Sequence, residues 1–578
     1  MRFCLLALDY DGTIAESGRL DRDVAAALAE ARDRGVAVVI VSGRTLSDLR
    51  AVSGGLTWAD AFVGEDGAVV AFPGGDSRLL CREASPVLRR ALDEAGIPYS
   101  VGECVVEADA ADAPRILPLV RSLELPLGLH FNRGRLMVLP YGVSKATGLR
   151  EVLRAFRLSS HNALAIGDAE NDHPLLEACE VGAAVAWGSK ALQASADDIV
   201  PGTGPAAVAP YVLRLLEDMK LPASRRVPSQ VTLGRTLEGS TVTLAVRDSN
   251  ILVAGDPRSG KSWAVGLACE QLIVLGYSLC IVDPEGDYAP LETLPGVVVV
   301  GGQHSLPAPH EITRVLHHPD ISVVIDLSRA AHQAKIDYLR TLLPVLLRFR
   351  ARTGLPHRVV IDEAHYFLDR PDAADFVDVD LGGYVLVTYR VSDLHPTLLA
   401  TMDAVVMTHT SDPREVATLA TIAGPGHEES LGALLGDLAI DEAALVRASR
   451  GDEVRAERFR LAPRLTAHVR HRTKYRDVPL PAEHAFVFTK HGRAWGAPVR
   501  TLRTLIQSME HAPVEIVEGH ASRLDFSRWI GDVFGDFPLA EDLRDLEERH
   551  ARGEVVDLKR ALVEAISLRY EVVSPVSA

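Results

Sequence analysis

The run LLALDYDGTIAES, Leu5–Ser17, decides the first fold assignment. Four apolar residues run without interruption into Asp9, the pattern of a strand covered on both faces, as in a parallel sheet flanked by helices. Asp9 and Asp11 are two apart, so at the strand period they share a face at its end, where oxygen ligands suit a hard divalent cation. Gly12 then lets the backbone turn tightly against a bound anion. The same rhythm of a short apolar run stopped by a small or acidic residue and followed by a helical stretch recurs in VAVVIVSGR, ALAIGDAE, ILVAGDP, LCIVDPEG, VVIDLS, VVIDEAH and YVLVTYR. The sequence therefore predicts α/β architecture with parallel sheets, whose ligands collect at the carboxyl ends of the strands.

At 578 residues the chain exceeds a single core and predicts three or four units. A formal charge of −17 argues against a chain-wide coat for nucleic acid or anionic membrane, so any such claim needs a local patch. The six cysteines are scattered with no CxxC pair and most sit in apolar runs, which predicts free thiols in a reducing cytoplasm. FCLLAL lacks a small-residue cleavage site, so it is not read as a signal peptide, and no run of about 20 apolar residues predicts a membrane span. Breaks are expected at the polar, Pro-containing Glu217–Thr232 and again at Tyr475–His484. They divide the chain into residues 1–218, 228–475 and 480–578, the last mainly helical.

Three later features accompany the DxDG pair in order. VVIVSGR places Ser42 at the next strand end, where a hydroxyl and loop amides can hold phosphate oxygens. YGVSKATGL puts Lys145 at a helix start, and LAIGDAENDHPLL supplies Asp168 and Asp172 as further carboxylates for a Mg2+ site. The order DxDGT, SGR, K, GDxxND resembles the haloacid dehalogenase superfamily, specifically phosphatases with a type IIB cap, over about residues 1–218. The resemblance implies a Rossmann-like parallel sheet with an inserted α/β cap over about residues 84–140. It implies that Asp9 attacks phosphorus and that Asp11 acts as general acid and then base. Ser42 and Lys145 would grip the phosphoryl group, with Mg2+ held by Asp9, the Asp11 carbonyl and Asp168, and supported by Asp172. The substrate class is a small phosphate ester, often a phosphosugar, with Arg133 or Arg135 of the cap hairpin as candidate contacts to the leaving group.

The second motif is NILVAGDPRSGKSWAVGLA, Asn250–Ala268. Gly255, Asp256, Pro257, Arg258, Ser259, Gly260, Lys261 and Ser262 follow a strand and open a helix, the context in which loop amides and a helix N-terminus surround nucleotide phosphates. Ser262 and Asp362 of VVIDEAH are the candidate Mg2+ ligands and Glu363 the water-orienting acid, while Asp326 of VVIDLS competes for the role of Asp362. The succession of P-loop, DPEGDY, DLS, DEAH and YVLVTYR resembles the HerA and FtsK branch of RecA-like ATPases over about residues 228–420. That resemblance implies an ATP site with Asp283 and Glu285 nearby and Thr388 as sensor, and hexamers around nucleic acid with an arginine reaching the neighbour's site. Arg390, Arg414, Arg460 and Arg464 are the candidates. The chain departs from the family in lacking its N-terminal barrel and in showing Tyr389 and Arg390 where the sensor strand usually has Gln.

Arg447–Arg476 holds ten Lys or Arg against three acids and is the chain's strongly basic segment, read either as a phosphate track or as a solvated linker or subunit contact. Beyond His484, Phe526, Trp529, Ile530, Val533 and Phe534 fall at helical spacing and predict a core face. Asp525 is a candidate helix N-cap, and His520, Arg523 and Asp525 form either a polar site or structural hydrogen bonds. Two functions compete. One is a Mg2+-dependent phosphatase with an ATP-binding module fused to it, and the other is a hexameric DNA-associated ATPase that carries the phosphatase as effector.

Overall fold

The computed structural model describes residues 1–570 apart from 76, 133, 225–228, 248, 370–375, 378–380, 424–427, 448–455, 467–479, 481–483, 491 and 535–536. Leu5–Asp9 is a fully buried strand at the centre of the first sheet, whose order runs Asp198–Val200, Val181–Val185, Ala163–Gly167, Leu5–Asp9, Ala37–Val41, Ala61–Gly64, Val69–Ala71, Ser77–Leu79. The first six are parallel and the last two antiparallel. Parallel pairing needs crossover helices on both faces, which is why these strands are apolar throughout rather than alternating.

Between Ser77–Leu79 and the helix Lys145–Phe156 the chain leaves this sheet to build a separate antiparallel one, ordered Leu127–Asn132, Arg135–Pro140, Val106–Asp109, Tyr99–Val101. The helices Pro86–Glu94 and Ala113–Ser122 cover it around a small core of its own containing Leu88, Leu92, Ile116 and Leu136.

A second large sheet has the order Thr241–Ala245, Gln230–Arg235, Glu457–Leu461, Glu442–Arg447, Ala404–Met407, Ile251–Ala254, Tyr384–Thr388, Arg358–Ile361, Leu279–Asp283, Ser322–Asp326, Val297–Gly301. Its last seven strands are parallel. The hairpin Gln230–Ala245 completes its other edge through Glu457–Leu461. The helices Leu502–His511, Val514–Ala521, Phe537–Ala551 and Leu558–Tyr570 then enclose a third core.

Two expectations change. The stretch Glu217–Thr232 is not a bare linker where it is described: Leu221 is buried, its N–H donates to Met1 O, and Arg2 bridges to Lys220. Asp525 does not cap its helix, because Leu524 holds the cap position while Asp525 accepts from His520 Nδ1 at 2.8 Å and Arg523 Nε at 3.0 Å. Phe526, Trp529 and Ile530 are buried as predicted and Val533 is partly so, while the side chain of Phe534 lies outside the described residues. Most of the break expected at Tyr475–His484 also lies outside them.

Candidate active site and nucleotide loop

Asp9 ends its strand 5% exposed, facing Asp168 and Asp172, so that one oxygen of each lies within 4.8 Å of the others. Lys145, 1% exposed at its helix start, reaches Asp9 Oδ1 and Asp172 Oδ1, both at 2.5 Å. Burial alone would lower the Lys145 ammonium, but Asp172 and Asp9 overrule it and hold the pKa above the usual lysine range. Burial and the neighbouring Asp172 push Asp9 well above the usual carboxylate range, with Lys145 opposing them. Thr13 Oγ1 lies between Asp9 Oδ2 at 3.2 Å and Asp168 Oδ1 at 3.3 Å. Asp172 Oδ2 accepts from the amides of Asp168 and Ala169, so Asp172 sets the loop as well as the charge. Three carboxylates against one ammonium leave an excess of anionic oxygen, the donor set of a hard divalent cation.

Ser42 and Asp11 border the same cavity, of about 230 Å³. Its roof comes from the inserted sheet, with Glu107, Asn132, Arg135 and Met137. Arg135 is ion-paired to Glu107, and Arg133 lies outside the described residues. Met137 Sδ sits only 3.2 Å from where a Cβ on Gly43 would lie, so glycine lets the roof settle on the SGR turn.

Arg44, the last residue of SGR, received no role from the sequence. Its guanidinium takes Asp11 with Nε at 2.5 Å and Nη2 at 2.8 Å, and Asp48 with Nη1 at 2.6 Å. Glu65 and Asp66 were also missed. Both are buried at positive φ, 51° and 54°. The Glu65 carboxylate accepts from the amides of Glu103, Cys104 and Val105 on the inserted unit, at 2.7, 2.7 and 3.0 Å. A side chain on Gly102 would collide with it. Asp66 meets His130 Nδ1 and accepts from Asn171 Nδ2, each at 3.0 Å. Two acidic residues in a row before glycine were the available signal.

In the second sheet, Gly255–Ser262 leads from Ile251–Ala254 into the helix Lys261–Val274. Lys261 Nζ donates to the carbonyls of Gly255 at 2.9 Å and Asp256 at 2.8 Å. Asp256 accepts from Ser411, Ser259 Oγ meets Thr408 Oγ1, and Arg258 has φ 71°. Pro257 lies within this turn. Ser262 Oγ donates to Asp287 at 2.7 Å, a carboxylate the sequence reading did not choose.

Asp283 instead accepts from the amides of Glu285, Gly286, Asp287 and Tyr288, building the loop that presents Asp287. Burial, then Asp287, pushes Asp283 to about 7. Asp362 and Glu363 are both buried, Glu363 at φ 47°, on the second strand from Ile251–Ala254. At about 4.8 Å per strand this is about 10 Å, against about 19 Å for the strand of Asp326. The intervening strand ends in Thr388, whose hydroxyl lies 3.0 Å from His365 Nδ1, itself 3.6 Å from Glu363 Oε2.

The four arginine candidates are all paired within the chain. Arg464 is buried on Glu270 at 2.7 Å, Arg460 pairs with Asp441, and Arg390 and Arg414 both face Asp393. Arg447 and Arg458, the other described arginines of the basic segment, pair with Glu457 and with Asp437 and Glu442. The rest of that segment's basic side chains lie outside the described residues. No helix among the described residues is long and apolar enough to cross a membrane, and the six cysteines are free.

The site thus combines a strand-end aspartate, a buried lysine partner and a roof from an inserted α/β unit. Comparison with known proteins places that arrangement in a family. The model of the haloacid dehalogenase-like hydrolases matches residues 6–82 and 128–212. A phosphoglycolate phosphatase of Methanoculleus marisnigri is 33% identical over 196 residues, which cover 31% of this chain and 82% of that one. Another from Methanopyrus kandleri is 28% identical over 233 residues, 37% of this chain and 98% of that one. Among solved structures, a haloacid dehalogenase-like hydrolase from Bacteroides thetaiotaomicron matches with TM-score 0.33 at 18% identity, covering 37% of this chain and all of that one. A subclass IIB sugar phosphatase matches with TM-score 0.31 at 17% identity, covering 37% and 98%. Through its first 210 or so residues the chain belongs to the haloacid dehalogenase-like hydrolases.

Proposed function

We propose that residues 1–218 form a Mg2+-dependent phosphatase acting on a small phosphate ester of the phosphoglycolate type, and that residues 228–475 bind and hydrolyse ATP as a HerA-like module. The observation that carries the first reading is the buried Lys145 shared at 2.5 Å by Asp9 and Asp172 beneath a cavity of about 230 Å³. The relatives named phosphoglycolate phosphatases support the short, anionic leaving group.

Asp9 attacks phosphorus, forming a new O–P bond as the bond to the leaving oxygen breaks, and Asp11 gives that oxygen a proton. Water then attacks the aspartyl-phosphate with Asp11 taking its proton, which returns free Asp9 and inorganic phosphate. Ser42 and Lys145 hold the phosphoryl oxygens, and the inserted cap excludes bulk water during the covalent stage. Asp9, Asp168 and the Asp11 carbonyl, with Asp172 behind them, would hold a Mg2+ ion, which when bound supplies charge neutralisation at the phosphoryl group.

Support for the second module is the P-loop leading directly into its helix, with Ser262 on Asp287 and with Thr388 on the strand between loop and Asp362. The division at residues 218–228 and 475–480 is part of the same proposal, and free thiols suit a reducing cytoplasm. DNA association and a hexamer form the alternative reading. It predicts DNA-stimulated ATP hydrolysis that is lost on Lys261→Ala.

The deciding experiment is phosphate release by the full chain from 2-phosphoglycolate and a phosphosugar panel. Turnover that vanishes on Asp9→Asn is expected, and turnover that survives it would sink the covalent mechanism.

A further inference from the structure

We infer that Arg44 couples the leaving group to the general acid by exchanging Asp11 for an anionic substituent of the substrate. The inference rests on the phosphatase reading above. Both Asp11 oxygens are held by one guanidinium, at 2.5 and 2.8 Å, so in this arrangement neither is directed at a leaving oxygen. The pair borders the cavity that also holds Asp9, and the Arg44 side chain is 20% exposed overall.

The third Arg44 contact, Asp48 at 2.6 Å on the adjoining helix, fixes the guanidinium independently of Asp11. Arg44 therefore stays in place when Asp11 leaves. Of the arginines that line the cavity among the described residues, Arg135 sits on the roof paired with Glu107, and Arg44 sits on the floor beside Asp11. A planar fork that fits one carboxylate bidentately fits another equally well, so a carboxylate on the leaving group displaces the side chain it resembles. The released Asp11 turns to the leaving oxygen. There it acts as the general acid of the phosphatase reading: its proton goes to the leaving oxygen as the phosphorus–oxygen bond breaks, and the bond's electron pair stays on the departing alcohol. An ester with an uncharged tail leaves Asp11 locked. Arg44 is thus a positioning residue that reads the substrate and permits proton transfer in the same exchange.

The test compares 2-phosphoglycolate with ethyl phosphate, which has a similar short tail and no carboxylate, using the full chain. Wild type is expected to favour 2-phosphoglycolate in kcat/KM by about 100-fold or more, the lower end of what a positioned general acid contributes, because the exchange keeps one bidentate pair and frees Asp11. In Arg44→Gln the ratio is expected to collapse to within about threefold, with Arg44→Lys between the two, because an ammonium keeps the charge without the fork. Arg44→Lys carries the same comparison should Arg44→Gln fail to fold. Calorimetric binding of both esters to Asp9→Asn protein, with and without the Arg44 change, reads whether the carboxylate engages Arg44 in the absence of turnover. A merely structural Arg44 would lower both esters together, and a ratio that survives Arg44→Gln overturns the inference. A wild type that hydrolyses both esters equally also overturns it while leaving the phosphatase reading intact. A wild type that hydrolyses neither removes both.

Discussion

Lys145 answers two carboxylates at 2.5 Å with a third close by, and all four groups are buried. Removing one partner of such a cluster leaves uncompensated charge in a low dielectric, at a cost of about 3–5 kcal/mol. Lys145→Met is therefore expected to lower the melting temperature of the metal-free protein, and added Mg2+ to restore more of it than in wild type, because the cation takes over the missing charge. Equal Mg2+ shifts in the two proteins, read by thermal unfolding, would show that the lysine and the metal do not share these carboxylates. His365 makes stability depend on pH. Burial, then Arg390, lowers it from 6.5 to about 3, so it stays neutral between Glu363 and Thr388. Its contribution is full above pH 6.5 and declines as pH falls towards 3, because the unfolded chain takes a proton that the folded one refuses, at about 1.4 kcal/mol per pH unit. His365→Gln is expected to flatten the fall in urea midpoint between pH 7 and 5. An unchanged slope would place the acid sensitivity elsewhere.

At the scale of elements, the strands were the most legible part of the sequence. A run such as AVVIV or ALAIG is apolar at every position up to the residue that ends it, as a strand covered on both faces requires. The residues that end those runs, Asp9, Ser42 and Asp168, could be named because a parallel sheet gathers them on one edge. Partners supplied by distant elements were not legible. Nothing near Glu65 in sequence announces the three amides of Glu103–Val105, nothing near Arg464 announces Glu270, and Asp287 was hidden behind the more conspicuous Asp283. Asp525 misled for the same reason: it looks like a cap locally, but His520 claims it. Glu65 carries the consequence for function, since its carboxylate ties the cap's first strand connection to the catalytic sheet. Glu65→Gln replaces a charged acceptor by a neutral one and is expected to cost about 1–3 kcal/mol in the denaturant midpoint. It is also expected to raise the KM for the phosphate ester more than it lowers kcat. Loss of kcat alone, with the midpoint unmoved, would mean that the loop does not anchor the cap.

Across the whole molecule, the two candidate sites lie on opposite edges. Asp9, Ser42 and Asp168 close the carboxyl ends of the first sheet, whereas the contacts between the two large units come from the amino ends of strands. His161 and Asn162 precede Ala163–Gly167, and Glu180 precedes Val181–Val185; facing them, Tyr277 and Ser278 precede Leu279–Asp283 and His357 precedes Arg358–Ile361. His161 stacks on Tyr277 with centroids 3.7 Å apart, and Glu180 accepts from the Tyr277 hydroxyl at 3.0 Å and pairs with His161 at 2.7 Å. Asn162 meets His357 at 3.2 Å, close to where a side chain on Gly354 would clash with it. The units are thus joined back to back through polar groups, with the Gly255–Ser262 loop and the cavity beside Asp9 pointing away from each other. Among the described residues, the path from one site to the other runs across the seam through the strands themselves. A packed seam of this kind resists small displacements, because buried hydrogen-bonded groups lose their partners when they slide. Saturating ATP is therefore expected to change kcat/KM of the phosphatase by less than about twofold, well under the 5- to 150-fold of ordinary allosteric coupling. Tyr277→Ala, which opens the seam, is expected to lower the melting temperature without creating ATP dependence. A larger ATP effect on phosphate release, abolished by Lys261→Ala, would show that the strands transmit what the geometry of the two edges separates.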